Sequence, residues 1–381
     1  MGIPLFDTQE QLEPFRTELA QRMAAVITSG RFVLGPEVTA FEHEFAAYLG
    51  VQQVVGVANG TDAIRIALQA LGVGAMAAAR RDGDQHGRGI DEVVVPSFTF
   101  VATAEAVIQA GARPVFCDID PETFCVTAET VAAVLTQNTR AIIPVHLFGL
   151  PAPMDELREL ADERGIPLIE DAAQAAGARF GGARAGSLGD AATFSFYPSK
   201  NLFGLGDGGA IATNDEQVAA RARLLRMHGS KAKTTFEEAG WNSRLDELQA
   251  VALRVLLPGL DDRNARRRAF ADSYAESGLA ERVSLPHAPE GSEHVFHMYV
   301  VRSDRREEML KSLEAAGIEA RANYEQPLHR QQAMQPYSAG IELPATDEAA
   351  RLNLALPMGP THNADTARSV VDALRQAVNS R

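Results

Sequence analysis

Cysteine is scarce: the chain carries two, Cys117 and Cys125, too few for a disulfide framework and without metal-ligand spacing. That excludes a small disulfide-stapled scaffold and predicts a reducing, cytoplasmic setting. No apolar run approaches the roughly 20 residues of a membrane helix. The opening MGIPLFDTQEQLEP has neither the basic flank nor the apolar core of a signal peptide. Positive charge is also in deficit. Lys and Arg number 36 against 50 Asp and Glu, a net charge of -14, so nucleic acid and anionic lipid are disfavoured as partners. Local basic patches could still meet a phosphorylated small molecule. Internal repeats and low-complexity segments are missing too, which leaves 381 residues of ordinary globular composition, long enough for a large domain and a smaller companion.

Apolar periodicity predicts helices over 9–29 and 37–49, around the turn SGRFVLGPE, and another opening at Thr61 in NGTDAIRIALQAL. The middle alternates. Short apolar runs at 93–96, 114–118, 140–145 and 167–170 are separated by helical stretches near 101–110, 127–136 and 154–164. Buried strands linked by crossover helices imply an α/β fold with a mostly parallel sheet covered on both faces. Runs at 192–196 and 209–213 are joined by a loop too short for a crossover helix, so one of them should be antiparallel. After helices near 215–229 and 244–280, the pattern becomes a strand at 296–301, a helix at 304–316, a strand IEARANY and a closing helix from 363. This βαβ-like tail predicts a division into a large domain, 1–255, and a small C-terminal domain, 256–381. The segment 72–91 is a Gly-rich, charged excursion, and its Asp82, Asp84 and His86 lack any fixed geometry for a metal, so no metal site is expected.

Four features fall where ligands bind in open α/β sheets, beyond the carboxyl ends of the strands. In ANGTDA, Asn59 and Gly60 turn the chain and Thr61 opens a helix, so free backbone N–H groups and the helix dipole favour a phosphate there; plain capping by Thr61 or Asp62 is the alternative. In IEDAAQAAGA an apolar strand ends at Glu170–Asp171, with Gln174 three residues on. A carboxylate partly removed from water must find a cation or lose its charge, and a protonated pyridine nitrogen would satisfy Asp171. Lys200, in FSFYPSKN, follows a strand where neither helix nor sheet needs it, and a lysine of lowered pKa forms Schiff bases. Ser195, five residues earlier, could add a hydroxyl to the phosphate cup. Together they specify pyridoxal 5'-phosphate (PLP), with Phe98 and Phe100 in PSFTF available to cover the ring.

The stretches ANGTDA, VPSFTFVATAEAV, IPVHLFGLPAPMDEL, IEDAAQAAGA, GSLGDAATFSFYPSKNLFGLGDGGAI and WNSRLDELQA resemble, in order, the sugar aminotransferases of the DegT/DnrJ/EryC1/StrS family. The resemblance implies a PLP-dependent transferase of fold type I, similar to aspartate aminotransferase. It implies that Lys200 holds the cofactor as a Schiff base and shuttles the proton, that Asp171 pairs with the pyridine nitrogen, and that Gln174 bonds the phenolic oxygen. Phe100 would stack on the ring. Gly60, Thr61, Asp62 and Ser195 would form the phosphate end, and Asn242 would be donated by the partner subunit of a homodimer. L-glutamate is the implied donor and a nucleotide-linked keto sugar the implied acceptor, with the NGTDA form leaning toward 3-keto sugars.

Candidates to meet the acceptor are Arg31, Tyr324, His329 and the cluster Arg263, Arg266, Arg267 and Arg268, the last more simply a solvated face. RANYEQPLH resembles the family's substrate-lining segment HYPIPLH but departs from it at Asn323, Glu325 and Gln326. The alternatives are an aminotransferase or aminobenzoate-type synthase acting on a free ring ketone, and a non-catalytic PLP-binding regulator.

Overall fold

The computed structural model describes residues 2–74, 90–232 and 234–379. The elements that position the site begin with helices α1 (Thr8–Leu12), α2 (Arg16–Ser29) and α3 (Pro36–Leu49), strand β1 (Gln53–Val57) and α4 (Gly60–Ala70). Then come β2 (Glu92–Pro96), α5 (Ala102–Gln109), β3 (Arg113–Cys117), α6 (Ala128–Ala132), β4 (Thr139–Ile142), α7 (Met154–Arg164) and β5 (Ile169–Asp171). A short hairpin, β6 (Arg179–Phe180) and β7 (Ala183–Arg184), leads to β8 (Ala191–Ser195), β9 (Gly209–Thr213), α8 (Glu216–Leu225), α9 (Glu247–Leu256) and α10 (Leu260–Glu276). The chain closes with β10 (Ser292–Glu293), β11 (Tyr299–Arg302), α11 (Arg306–Ala315), α12 (Gln335–Ser338), α13 (Pro344–Leu352), β12 (Asn353–Leu356) and α14 (Ala364–Asn379).

Strands β1-β9-β8-β5 and β3-β2-β4 join through the parallel bridges Ile142–Leu168 and Val145–Asp171. The result is one sheet in the order β1-β9-β8-β5-β4-β2-β3, with β9 antiparallel to both neighbours and every other pair of directions parallel. Strand alternation sends side chains to two faces, each covered by helices. Val55, Val57, Val93, Val95 and Ile211 pack with α4, α5 and α8; Val54, Ala192, Phe194, Ala210 and Ala212 pack with α3 and α9. Val94 and Ile142 continue that second face under α7.

Three expectations about local structure are corrected. Strand β1, QVVGV, was not among the expected runs, although it is as long as β2 and β3. The helix at 60–70 is capped by neither Thr61 nor Asp62: Asn59 is its N-cap, and its side chain accepts from the Asp62 amide at 2.8 Å. IEARANY forms no strand. Only Ile318 and Arg321 make isolated bridges there, and the partner of β11 is β12, in antiparallel register from Tyr299–Leu356 to Arg302–Asn353. The tail is therefore an antiparallel pair under α10, α11 and α14, with Tyr274, Val301, Leu313, Leu354 and Val371 as its core.

The expected boundary at 255/256 falls in the last turn of α9. Leu257 and Leu260 still pack with the large sheet, and Phe270 and Tyr274 belong to the C-terminal core, so α10 spans the two. Asp82, Asp84 and His86 lie outside the described residues. Among the described residues no helix is long and apolar enough to cross a membrane, and no three His, Cys, Asp or Glu side chains are grouped to hold a metal.

Candidate active site

The carboxyl ends of β1, β5 and β8 bring three groups of residues together. At the first turn of α4 the amides of Gly60 and Thr61 make no hydrogen bond to the described chain, as expected of the orphan donors that begin a helix. Ser195, at the end of β8, lies against them. A Cβ added at Gly60 would come within 2.8 Å of the Ser195 Cβ, so only glycine allows this close approach. Gly209 gives the matching room on β9, where a Cβ would meet the Asn59 carbonyl oxygen at 2.4 Å. Free N–H donors, a hydroxyl and the positive end of a helix dipole make this corner suited to a phosphate. Asp62 is turned aside onto Arg65, whose Nη2 donates to Oδ1 at 2.5 Å.

The second group is Asp171 and Lys200. Asp171 ends β5 and is buried, with Oδ2 accepting from Thr103 Oγ1 at 2.8 Å and Oδ1 from the Ala173 amide at 3.2 Å. Burial raises its pKa above the ordinary carboxylate value, against the opposing pull of those two donors and of Lys200. Lys200 lies in the loop between β8 and β9. Its amine makes no hydrogen bond or ion pair among the described residues, and burial lowers its pKa from 10.5 to about 8, with the Asp171 charge resisting the shift. The two charges are near enough to act on each other, yet no hydrogen bond or ion pair closes between them among the described residues, which suits a group that needs an amine on one side and a carboxylate on the other. PLP fits that donor set: an aldehyde for Lys200, a ring nitrogen for Asp171, a phosphate for the α4 corner.

Gln174 and Tyr324 form the third group. Gln174 Oε1 accepts from the Phe148 amide at 2.8 Å, and its Nε2 donates to the Tyr324 hydroxyl at 3.1 Å. Phe148 and Tyr324 stack 6.1 Å apart, and both carry left-handed backbone, φ 57° and 71°, a strained state for aromatic residues. Burial and the nearby Asp171 charge raise the Tyr324 pKa, so the phenol is protonated and able to donate.

The two aromatics of PSFTF separate. Phe98 is fully buried in a cluster with Phe124, Phe148 and Tyr324, and Phe100 is 57% exposed just before α5, the helix that carries Thr103. Arg31 and Asn242 are exposed, and neither side chain bonds to the three groups. His329 is buried, with Nδ1 2.7 Å from Ser97 Oγ and Nε2 3.2 Å from Asp347 Oδ1. The basic cluster is not one solvated face: Arg263 and Arg267 are buried, and Arg266 and Arg268 pair at the surface with Asp262 and Glu293.

Two residues at the site escaped the sequence reading. Thr103 sits in FVATAEAV, where a threonine in a helix carries no signal of its own. His297, in the run read as a plain strand, is fully buried with its pKa held well below 6.5 by burial and by the charges of Lys200, Arg267 and Arg321.

The sequence and the fold both have counterparts among known proteins. Residues 15–375 match the DegT/DnrJ/EryC1/StrS aminotransferase family. The "pleiotropic regulatory protein" of Geobacillus stearothermophilus is 42% identical over 99% of this chain and 98% of its own. The dTDP-3-amino-3,4,6-trideoxy-alpha-D-glucose transaminase of Streptomyces venezuelae is 42% identical over 98% of this chain and 96% of its own. Among solved structures, S. venezuelae DesV in complex with a ketimine intermediate superposes with a TM-score of 0.93 at 41% identity, covering 100% of this chain and 99% of its own. With the family matched along nearly the whole length and the fold shared with its solved members, the chain belongs to the DegT/DnrJ/EryC1/StrS family and is a PLP-dependent aminotransferase.

Proposed function

We propose that the protein moves an amino group from L-glutamate to a keto sugar carried on a nucleotide, with 3-keto sugars favoured, and that it does so as a homodimer with shared sites. The observation that carries the reading is the unpartnered Lys200 amine facing the buried Asp171 carboxylate beside the α4 corner. The S. venezuelae relative, named for a dTDP-linked 3-amino sugar, supports the acceptor class.

PLP, when bound, supplies an aldehyde for attachment and a ring that takes up the electrons left as a Cα proton departs. The chain's residues do the rest. Lys200, with its amine pKa lowered to about 8 by burial, would hold the cofactor and would carry the proton from the donor's Cα. Asp171, oriented by Thr103, keeps the ring nitrogen protonated in a dry site where its charge is weakly screened. Gln174 has one N–H left after Tyr324 and offers it to the phenolic oxygen. Gly60, Thr61 and Ser195 hold the phosphate, with Asp62 acting through Arg65 and with Asn242 reaching in from the partner subunit. Phe100 covers the ring. Arg31 and Tyr324 meet the acceptor, and His329 fixes the segment beside it through Ser97. Over the whole exchange the donor would become 2-oxoglutarate and the acceptor ketone an amine, the ketone oxygen and the amino group having changed places between the two substrates.

The test loads the protein with pyridoxamine 5'-phosphate and follows products by mass spectrometry across TDP- and UDP-linked 3-keto and 4-keto sugars and free ring ketones. Amination of a nucleotide-linked 3-keto sugar is expected. Preference for a free ring ketone would overturn the acceptor class. A loaded protein that turns over nothing would favour the regulator suggested by the Geobacillus relative's name.

A further inference from the structure

Asn242 stands between two anchored residues. Trp241, the chain's one tryptophan, lies with its ring 3.6 Å beneath the Arg65 guanidinium and donates from Nε1 to Gln69 Oε1 at 2.8 Å. Ser243, fully buried, accepts from the Ala58 amide through Oγ at 3.1 Å. The first contact is with α4 and the second with Ala58, in the turn just before its N-cap Asn59. The backbone is pinned as well: the Trp241 amide donates to the Leu225 carbonyl at 2.7 Å and the Ser243 amide to the Arg226 carbonyl at 3.1 Å. Asn242 bridges Met227 in antiparallel fashion. In extended backbone successive side chains alternate, so fixing Trp241 and Ser243 on α4 aims Asn242 the opposite way. Its exposed amide has no partner among the described residues.

The grip on Trp241 begins in the first turn of α4. Asn59 Oδ1 holds the Asp62 amide at 2.8 Å, Asp62 Oδ1 holds Arg65 Nη2 at 2.5 Å, and Arg65 covers the indole. A cation stacked on tryptophan in a partly desolvated setting is worth more than a surface contact, and one carboxylate fixes its plane.

We propose that Arg65 and Trp241 are positioning residues acting across the subunit boundary: with Asp62 they form a bracket on α4 that aims Asn242 at the cofactor phosphate of the partner subunit. One helix then serves two sites, its first turn receiving one phosphate and its bracket directing the amide offered to the other. This rests on the shared-site reading above.

Mixed dimers test it. Chains with two different affinity tags are purified as heterodimers, and PLP affinity is read as borohydride-fixed cofactor on Lys200 against PLP concentration. In the first cross, one chain carries Arg65→Ala and the other Lys200→Ala. The remaining lysine site takes its Asn242 from a chain with an intact bracket, so wild-type affinity within about twofold is expected. In the second cross, Arg65→Ala and Lys200→Ala share one chain, and the wild-type chain's site receives the misdirected Asn242. Affinity there is expected to weaken about tenfold, the scale of one hydrogen bond to a charged group. Trp241→Phe, which keeps the stack and loses the Nε1 bond, should weaken the second cross less, and Arg65→Lys should restore most of the affinity.

Weakening in the first cross alone, or equal affinity in both, overturns the bracket. Asn242→Ala in the same two crosses separates this from the underlying reading: without a trans effect from Asn242→Ala, or with no dimer to purify, the shared site itself is wrong. A trans effect from Asn242→Ala with none from Arg65→Ala sinks the bracket only.

Discussion

Glu170 and Asp171 are adjacent on β5 and both buried, yet their surroundings are opposites. Glu170 points away from the site, and its two oxygens accept from the amides of Gly186, Leu188 and Gly189 at 2.7–2.8 Å and from His146 Nε2 at 2.9 Å. The Ala152 amide donates to His146 Nδ1, so the imidazole proton sits on Nε2 and the pair is a neutral donor on a carboxylate. Asp171 points into the site with two donors, and burial leaves its charge under-compensated. Strand alternation has divided one dipeptide into a carboxylate saturated by the chain and one left with two donors, the one proposed above to meet the cofactor's ring nitrogen.

The sharpest way to break this contrast is to remove each charge separately. Asp171→Asn should lower kcat/KM by about 10³-fold or more, since the ring nitrogen loses its anion. Its stability to urea should stay near wild type, because removing an uncompensated buried charge costs little. Glu170→Gln should do the reverse. An amide nitrogen set against backbone N–H donors leaves buried groups unpaired, and unfolding free energy should fall by about 2 kcal/mol or more, with kcat changed only a few-fold. If Glu170→Gln proves as inactive as Asp171→Asn while folding normally, the division of labour is wrong. Thr103→Val tests the same contrast more gently: losing one of two donors should raise the Asp171 pKa further and lower kcat/KM about tenfold, readable in the pH profile of the bound cofactor's absorbance.

The smallest expected effect concerns Lys200. Only the neutral amine attacks an aldehyde, so the rate of PLP capture by cofactor-free protein should rise about tenfold per pH unit and level off near pH 8, not near the ordinary lysine value of 10.5. The linkage has a definite sign. Because the folded pKa lies below the unfolded one, the unfolded chain binds more protons between about pH 8 and 10.5, and Lys200 makes the folded state more stable as pH rises through that window. Lys200→Met should remove that slope. A capture midpoint near 10.5 would mean that the amine is solvated.

Much of this site was legible because it lies at positions where sequence punctuation is strong. NGTDA marks a turn into a helix, IED marks the end of a buried strand, and the spacing from Ser195 to Gly209 is too short for a crossover helix, which predicted that one of the two strands is antiparallel; the structure shows that it is β9. The rest was hidden for physical reasons. Asn59 outcompeted Thr61 and Asp62 for the cap because a cap must precede the helix and carry extended backbone, φ -166° and ψ 173° here. The alternation in IEARANY satisfied a strand pattern, but no neighbour offered a full edge to pair with. Burial of Arg263 and Arg267 depends on α10 passing between two cores, which its own charged sequence does not disclose. Thr103 and His297 reach the site only through tertiary packing.

The antiparallel return of β9 has a consequence for the lysine. The loop it closes leaves the sheet after Ser195 and rejoins it at Gly209, with the Phe196 amide on the Gly208 carbonyl at 2.8 Å, the Gly204 amide on the Phe196 carbonyl at 2.7 Å and the Leu205 amide on Gln249 Oε1 at 2.7 Å. Such a leash is moored at both ends and in the middle. The Lys200 amine can therefore swing through its own four methylenes while its backbone has nowhere to drift, which keeps its reach confined to one side of the sheet's end.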